Sequence, residues 1–241
     1  VNPEPHEVPA PAPARRRALA ARPPLTAAAL ITAAIVAYLA VAGSPFEAHR
    51  REHLAGQGPL QSHTQQGATS MYAPERTPWT GTFGTYVLCS TTGSAIEIED
   101  IRYRTTVKPL DVHLMLRTVS GKTRATDPAA GPLGGAIGEP PDLPDGRLPG
   151  RFEKAGPGTR ITQSCADEDR STSGFTELLF AMKVGEPGGI IDRAWIDYRT
   201  NDHLYTLKLE WEMIACGKEA AHAAGPGKCN GTANPPTASG S

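Results

Sequence analysis

The stretch His203–Ala215 reads HLYTLKLEWEMIA, and its alternation decides the fold class. Tyr205, Leu207, Leu209, Trp211 and Met213 share one parity, while Thr206, Lys208, Glu210 and Glu212 share the other. Successive side chains of a strand point to opposite faces, so the pattern predicts a strand with one face in a core and one in water. Such one-face burial belongs to antiparallel sheets. Immediately upstream, Ile190–Thr200 repeats the pattern, with Ala194, Ile196 and Tyr198 set against Arg193, Asp197 and Arg199. Asn201 and Asp202 separate the two runs, and because both residue types tolerate a left-handed backbone they predict a tight hairpin.

Further back, strands are predicted at Gly81–Cys89, Ala95–Tyr103, Leu110–Val119 and Phe175–Val184, with a short one at Arg160–Ser164. In Leu110–Val119, Leu110, Val112, Leu114 and Leu116 oppose Asp111, His113 and Arg117. In Ala95–Tyr103 the parity slips by one between Ile98 and Ile101, which predicts a bulge or a strand end near Asp100. Together these runs predict an antiparallel β-sandwich over residues 79–216. The stretch Ser120–Gly158 interrupts it. Gly134-Gly135 and Pro140-Pro141 forbid a continuous regular element there, so a long surface loop is expected.

Outside that domain, residues 1–24 are rich in Pro and Arg and too poor in large apolar side chains to fold, predicting a disordered tail. Leu25 to Gly43 reads LTAAALITAAIVAYLAVAG, 19 residues without a charge. At ~1.5 Å per residue a helix of that length spans ~28 Å, the thickness of a bilayer's hydrocarbon core. Arg15, Arg16, Arg17 and Arg22 precede it, whereas Arg50 and Arg51 lie beside Glu47 and Glu52. The positive-inside bias therefore predicts a cytoplasmic N-terminus and an extracytoplasmic domain. Two alternatives stand beside the anchor: a secretion signal cleaved near Ala42, after the small-x-small Ala40-Val41-Ala42, and a buried Ala-rich helix. Residues 44–78 are expected to be a juxtamembrane linker, and 217–241 a second disordered tail.

All four cysteines, Cys89, Cys165, Cys216 and Cys229, follow the hydrophobic segment, as an oxidising compartment would have it. Four cysteines allow three connectivities, and the preferred pairing is Cys89–Cys165 with Cys216–Cys229. No C-x₂₋₄-C pair is present to begin a zinc site. The formal net charge is −1, and no Lys/Arg stripe with interleaved aromatics follows the hydrophobic segment, which excludes a nucleic-acid binder's electrostatic footprint.

Catalytic and metal signals are sparse, and no cofactor is predicted. His49 and His53 have the i, i+4 spacing of a helical metal pair, but two arginines stand between them. Asp167, Glu168 and Asp169 offer oxygens without the spacing of a calcium loop. A hydrolase would have to draw on His113, His203 and Asp202, and neither a G-x-S-x-G elbow nor a phosphate-binding loop is present. Asn230-Gly231-Thr232 matches the N-glycosylation acceptor, which matters only in a eukaryotic secretory pathway.

The Ala/Pro/Gly/Arg-rich composition, a first residue other than Met (read as an alternative start codon), and the order of Arg-rich tail, Ala-rich span, linker and strands resemble uncharacterised membrane-anchored proteins of high-GC actinobacteria. The run Phe175-Thr176-Glu177-Leu178-Leu179 through Gly188-Gly189 to Tyr205-Thr206-Leu207 and Cys216 is similar to the closing strands of their immunoglobulin-like outer domains. That resemblance implies binding or scaffolding rather than catalysis and carries over no site residues. The functional expectation is a tethered interaction module for an envelope protein, wall polymer or other ligand, with Ser120–Gly158 as its contact surface. The rivals are an extracytoplasmic hydrolase or metal-dependent enzyme, which needs His113 and His203 in one pocket, and a passive subunit of a membrane complex.

Overall fold

A computed structural model describes residues 58–229, apart from 65, 73, 75 and 169–172. The tail 1–24, the predicted span Leu25 to Gly43, His49, His53 and Asn230–Thr232 lie outside the described residues. Among the described residues no helix is long and apolar enough to cross a membrane.

The six predicted long strands are all present: β3 (Trp79–Ser90), β4 (Ile96–Val107), β5 (Asp111–Val119), β11 (Phe175–Val184), β12 (Gly189–Thr200) and β13 (His203–Ala215). Seven short ones join them: β1 (Leu60–Ser62), β2 (Gln66–Met71), β6 (Gly135–Ile137), β7 (Asp142–Leu143), β8 (Gly146–Arg147), β9 (Arg151–Lys154) and β10 (Arg160–Ile161). One sheet runs β1-β3-β11-β5-β9, with β6 also on β3; the other runs β10-β4-β12-β13-β2. Apart from the parallel β2–β13 pair, every pairing within these two sheets is antiparallel.

The core lies between the two sheets. Leu88, Leu116, Leu178 and Phe180 of one meet Ile98, Ile196, Leu209 and Met213 of the other. Val112, Leu114, Tyr205, Leu207 and Trp211 pack against this cluster, so the parities read from β5 and β13 face inward, except that Leu110 falls before the start of β5 and is 64% exposed. The slip between Ile98 and Ile101 is a bulge, because Asp197 pairs with Asp100 while the next residue, Tyr198, pairs with Ile98, leaving Glu99 over. Asn201 and Asp202 have φ of 47° and 62°, the left-handed turn expected between β12 and β13.

Three expectations about boundaries need correction. The stretch 44–78 is not all linker: β1 pairs with the end of β3, and β2 runs parallel to β13 from Gln66↔Glu210 to Met71↔Ala215. The Leu60 N–H donates to the Tyr198 hydroxyl (3.2 Å), whose burial pushes its pKa up to about 12, and Trp211 Nε1 donates to Thr69 Oγ1 (3.0 Å). These strands escape notice because their composition is polar and their burial comes from partners distant in sequence. Nor is the stretch from residue 217 to Cys229 without structure. Helix Lys218–Ala223 buries Ala220 against Ile190 and Ile214.

Third, Ser120–Gly158 is cut into short elements rather than left as a loop. It holds helix Gly121–Thr126, capped by the Ser120 hydroxyl, a 3₁₀ turn at Pro128–Ala130, and strands β6 to β9. Every residue of β11 except Lys183 is buried, since residues 131–133 and 149 of this segment form a third layer over the outer face of its sheet, while β6 and β9 extend the sheet itself. The disulfides follow the preferred pairing. Cys89 is bonded to Cys165 and Cys216 to Cys229, and no described cysteine is free.

Candidate functional site

On the outer face of β5, Asp111, His113, Met115 and Arg117 share one parity, and the 120–158 segment treats its two ends differently. At Arg117 it clamps down. Arg117 and Glu177 are both fully buried, and Arg117 Nη1 donates to Glu177 Oε2 at 3.0 Å. Glu177 Oε1 also accepts from the backbone N–H of Leu133 (2.7 Å) and Thr85 (2.8 Å). Arg117 donates through Nε to the Pro149 carbonyl (2.7 Å) and through Nη1 to that of Gly131 (2.9 Å). Burial pushes Glu177 above the ordinary carboxylate range, with the donors offsetting part of the effect, and pushes Arg117 down. The pair fastens three points of the segment to the sheet.

The position of Thr85 follows from that clamp. Between Phe180↔Phe83 and Leu178↔Tyr86, Leu179 faces two residues of β3, so Gly84-Thr85 is a bulge, and Thr85 sits at φ 72°. A β-branched residue in the left-handed region is strained, and its N–H is thereby aimed at Glu177.

Toward the start of β5 the segment stands off and leaves a cleft of about 570 Å³. Val112, His113, Met115, Glu139, Phe152 and Lys154 are among its walls. The His113 ring donates from Nδ1 to Glu139 Oε1 (2.7 Å), and its Nε2 lies 3.1 Å from Asp111 Oδ2. These carboxylates, Glu139 foremost, raise the His113 pKa, favouring the imidazolium. With both ring nitrogens occupied, His113 is poorly placed to take a proton from a substrate. The two carboxylates sit on opposite sides of the ring rather than converging. Among the described residues no group of three or more His, Cys, Asp or Glu could hold a metal. The chemistry on offer is recognition by an apolar floor with fixed charges at its edge.

The hydrolase candidates do not meet. His113 is on β5 and His203 opens β13 in the other sheet. Asp111 pairs with Lys183, next to the short turn into β12, whereas His203 pairs with Thr200 at the far end of β12. A strand's length therefore separates them along the sandwich. Asp202 is a turn residue, and of the acidic run only the backbone of Asp167 and Glu168, within helix Cys165–Glu168, is described.

The outer face of the second sheet is largely self-paired. Arg102 makes a bidentate pair with Asp197, which also accepts from Thr206, and Arg104 pairs with Asp192, Arg199 with Glu99 and Arg160 with Glu97. Half-buried Trp195 lies near the guanidiniums of Arg102 (5.6 Å) and Arg193 (6.0 Å). Sequence reasoning missed the Arg117–Glu177 pair; its one signal was Glu177 as a lone charge inside FTELLFAM. Comparison with protein-family models, curated proteins and solved structures finds no match to this chain.

Proposed function

We propose that this protein is a membrane-tethered binding module of a bacterial cell envelope: an immunoglobulin-like domain held outside the cytoplasmic membrane by Leu25 to Gly43. The strand order supports the immunoglobulin-like reading. β1-β3-β11-β5 and β4-β12-β13 correspond to the ABED and CFG sheets of that sandwich, with Ser120–Gly158 inside the connection from D to E. Two disulfides support an oxidising compartment.

The observation that carries the binding reading is that the 120–158 segment is fastened by a buried ion pair yet presents Glu139, Phe152 and Lys154 as walls of an open cleft. A segment held rigidly at one end and open at the other suits a preformed recognition surface for an envelope protein or wall ligand. The test is in-cell photo-cross-linking from Met115 or Phe152 in the tagged full chain, followed by mass spectrometry. One reproducible envelope partner is expected, lost on Glu139→Lys. Capture only from the opposite sheet, at Lys208, would refute the assignment of the surface.

A further inference from the structure

Beyond the His113 cleft, a separate cavity of about 350 Å³ lies where the chain after β1, the β3 bulge and helix Gly121–Thr126 meet. Thr64, Thr85, Val87, Arg124, Pro132 and Phe175 line it, together with His63. Its volume is at the lower end of the range for small-molecule sites, about 300–1,000 Å³.

Three features of its wall bear on its chemistry. Arg124 and Arg76 alone among the described arginines have no carboxylate partner, whereas eight others are ion-paired. Arg124 donates only to the Ser173 carbonyl (3.1 Å) and lies 5.5 Å from the centroid of the Phe175 ring. The Thr85 hydroxyl is buried without a hydrogen-bond partner, on the residue held at φ 72°. Phe175, Val87 and Pro132 supply an apolar surface beside them. A buried hydroxyl left unsatisfied costs stability, and an unpaired guanidinium beside an apolar wall favours an anion.

We propose that this cavity binds a small carboxylate carried on a flat apolar body, with Arg124 countering the charge, the Thr85 hydroxyl donating to a carboxylate oxygen, and Phe175 with Val87 packing the body. The assignment is independent of the binding reading of the His113 cleft. It is tested with the full chain by ligand-observed ¹⁹F NMR, using 4-fluorobenzoate as the probe and neutral 4-fluorobenzamide as its control.

The benzoate is expected to broaden on binding, and the amide to bind at least tenfold more weakly. Arg124→Gln is expected to weaken benzoate at least tenfold, with partial recovery in Arg124→Lys, while Arg147→Gln on the exposed β7–β8 hairpin leaves it unchanged. Thr85→Gly relieves the left-handed strain, so that variant should fold at least as well while binding at least twofold more weakly. No binding to the wild-type chain, equal binding of the amide, or unchanged binding in Arg124→Gln or Thr85→Gly would overturn the proposal.

Discussion

Replacing Glu177 by Gln changes little in volume but inverts one contact. The Gln carbonyl can still accept from the Thr85 and Leu133 N–H groups, which share one carboxylate oxygen. The atom facing Arg117 Nη1, now 3.0 Å from Glu177 Oε2, becomes an NH₂ donor. A guanidinium with no exposed surface is then left without its counter-charge. Breaking a buried ion pair from one side costs about 3–5 kcal/mol. For a domain of this size each kcal/mol shifts Tm by about 2–4 °C, so a fall of about 6–20 °C is expected in circular-dichroism melts. Because Arg117 also holds Gly131 and Pro149, limited proteolysis should cut Glu177→Gln within residues 127–150 before the sheets unfold. Arg117→Met combined with Glu177→Leu should lose less stability than either single change, since no buried charge remains. A Glu177→Gln protein melting with less than about 1 kcal/mol of lost stability, or a double variant worse than both singles, would refute this reasoning.

The other predictions concern the cleft, the disulfides and the domain boundary. The folded-state pKa of His113 is raised, chiefly by Glu139, so its stabilising contribution is full below the unfolded value of about 6.5 and is lost as pH rises through the folded value. With the ring 57% exposed, screening keeps that contribution to a few tenths of a kcal/mol. An NMR titration should show the His113 midpoint falling in Glu139→Gln, and an unmoved midpoint would contradict the pairing. Full reduction should add about 4 Da to the intact mass, two hydrogens for each of two bridges. In the chain-entropy model the 76-residue separation of Cys89 and Cys165 makes that bridge worth ~4.5 kcal/mol, against ~3 kcal/mol for the 13-residue separation of Cys216 and Cys229. Replacing Cys89 and Cys165 together by Ala should therefore lower urea stability more than replacing Cys216 and Cys229. A Cβ at residue 58 would come within 2.1 Å of the Tyr198 hydroxyl and 2.5 Å of the Tyr205 ring, so Gly58→Ala should cost about 1–3 kcal/mol in the same assay, and no loss would argue against docking of the segment before β1.

β5, β12 and β13 were legible because their sequences alternate, whereas β11, buried on both faces except at Lys183, was legible as a short apolar run. Sequence alone left three disulfide connectivities open, and the preferred one, in which Cys229 ties the tail back to the end of the last strand, is the one formed. β1, β2, β6 and β9 were not legible, since short polar edge strands carry no periodicity of their own and owe their form to the backbone they pair with. The burial of Arg117 and Glu177 was hidden for a related reason. Parity correctly put Arg117 on the outer face, but only the third layer makes that face an interior, and nothing local announces such a cover. His113 was named from sequence as a hydrolase candidate. Its carboxylate Glu139, 26 residues away, is brought to it by the segment's docking.

The parallel pairing of β2 with β13 joins residues 66–71 to residues 210–215, nearly opposite ends of the described residues. A ribosome adding about 5–20 residues per second needs roughly 7–30 s to pass from Met71 to Ala215. Throughout that interval β2 has made its hydrogen-bonding groups available with its partner strand not yet in existence. Completion of the sheet is thus timed by the arrival of the last strand, and a nascent chain halted anywhere before Trp211 exposes an open edge at β2 that invites pairing with a neighbouring copy.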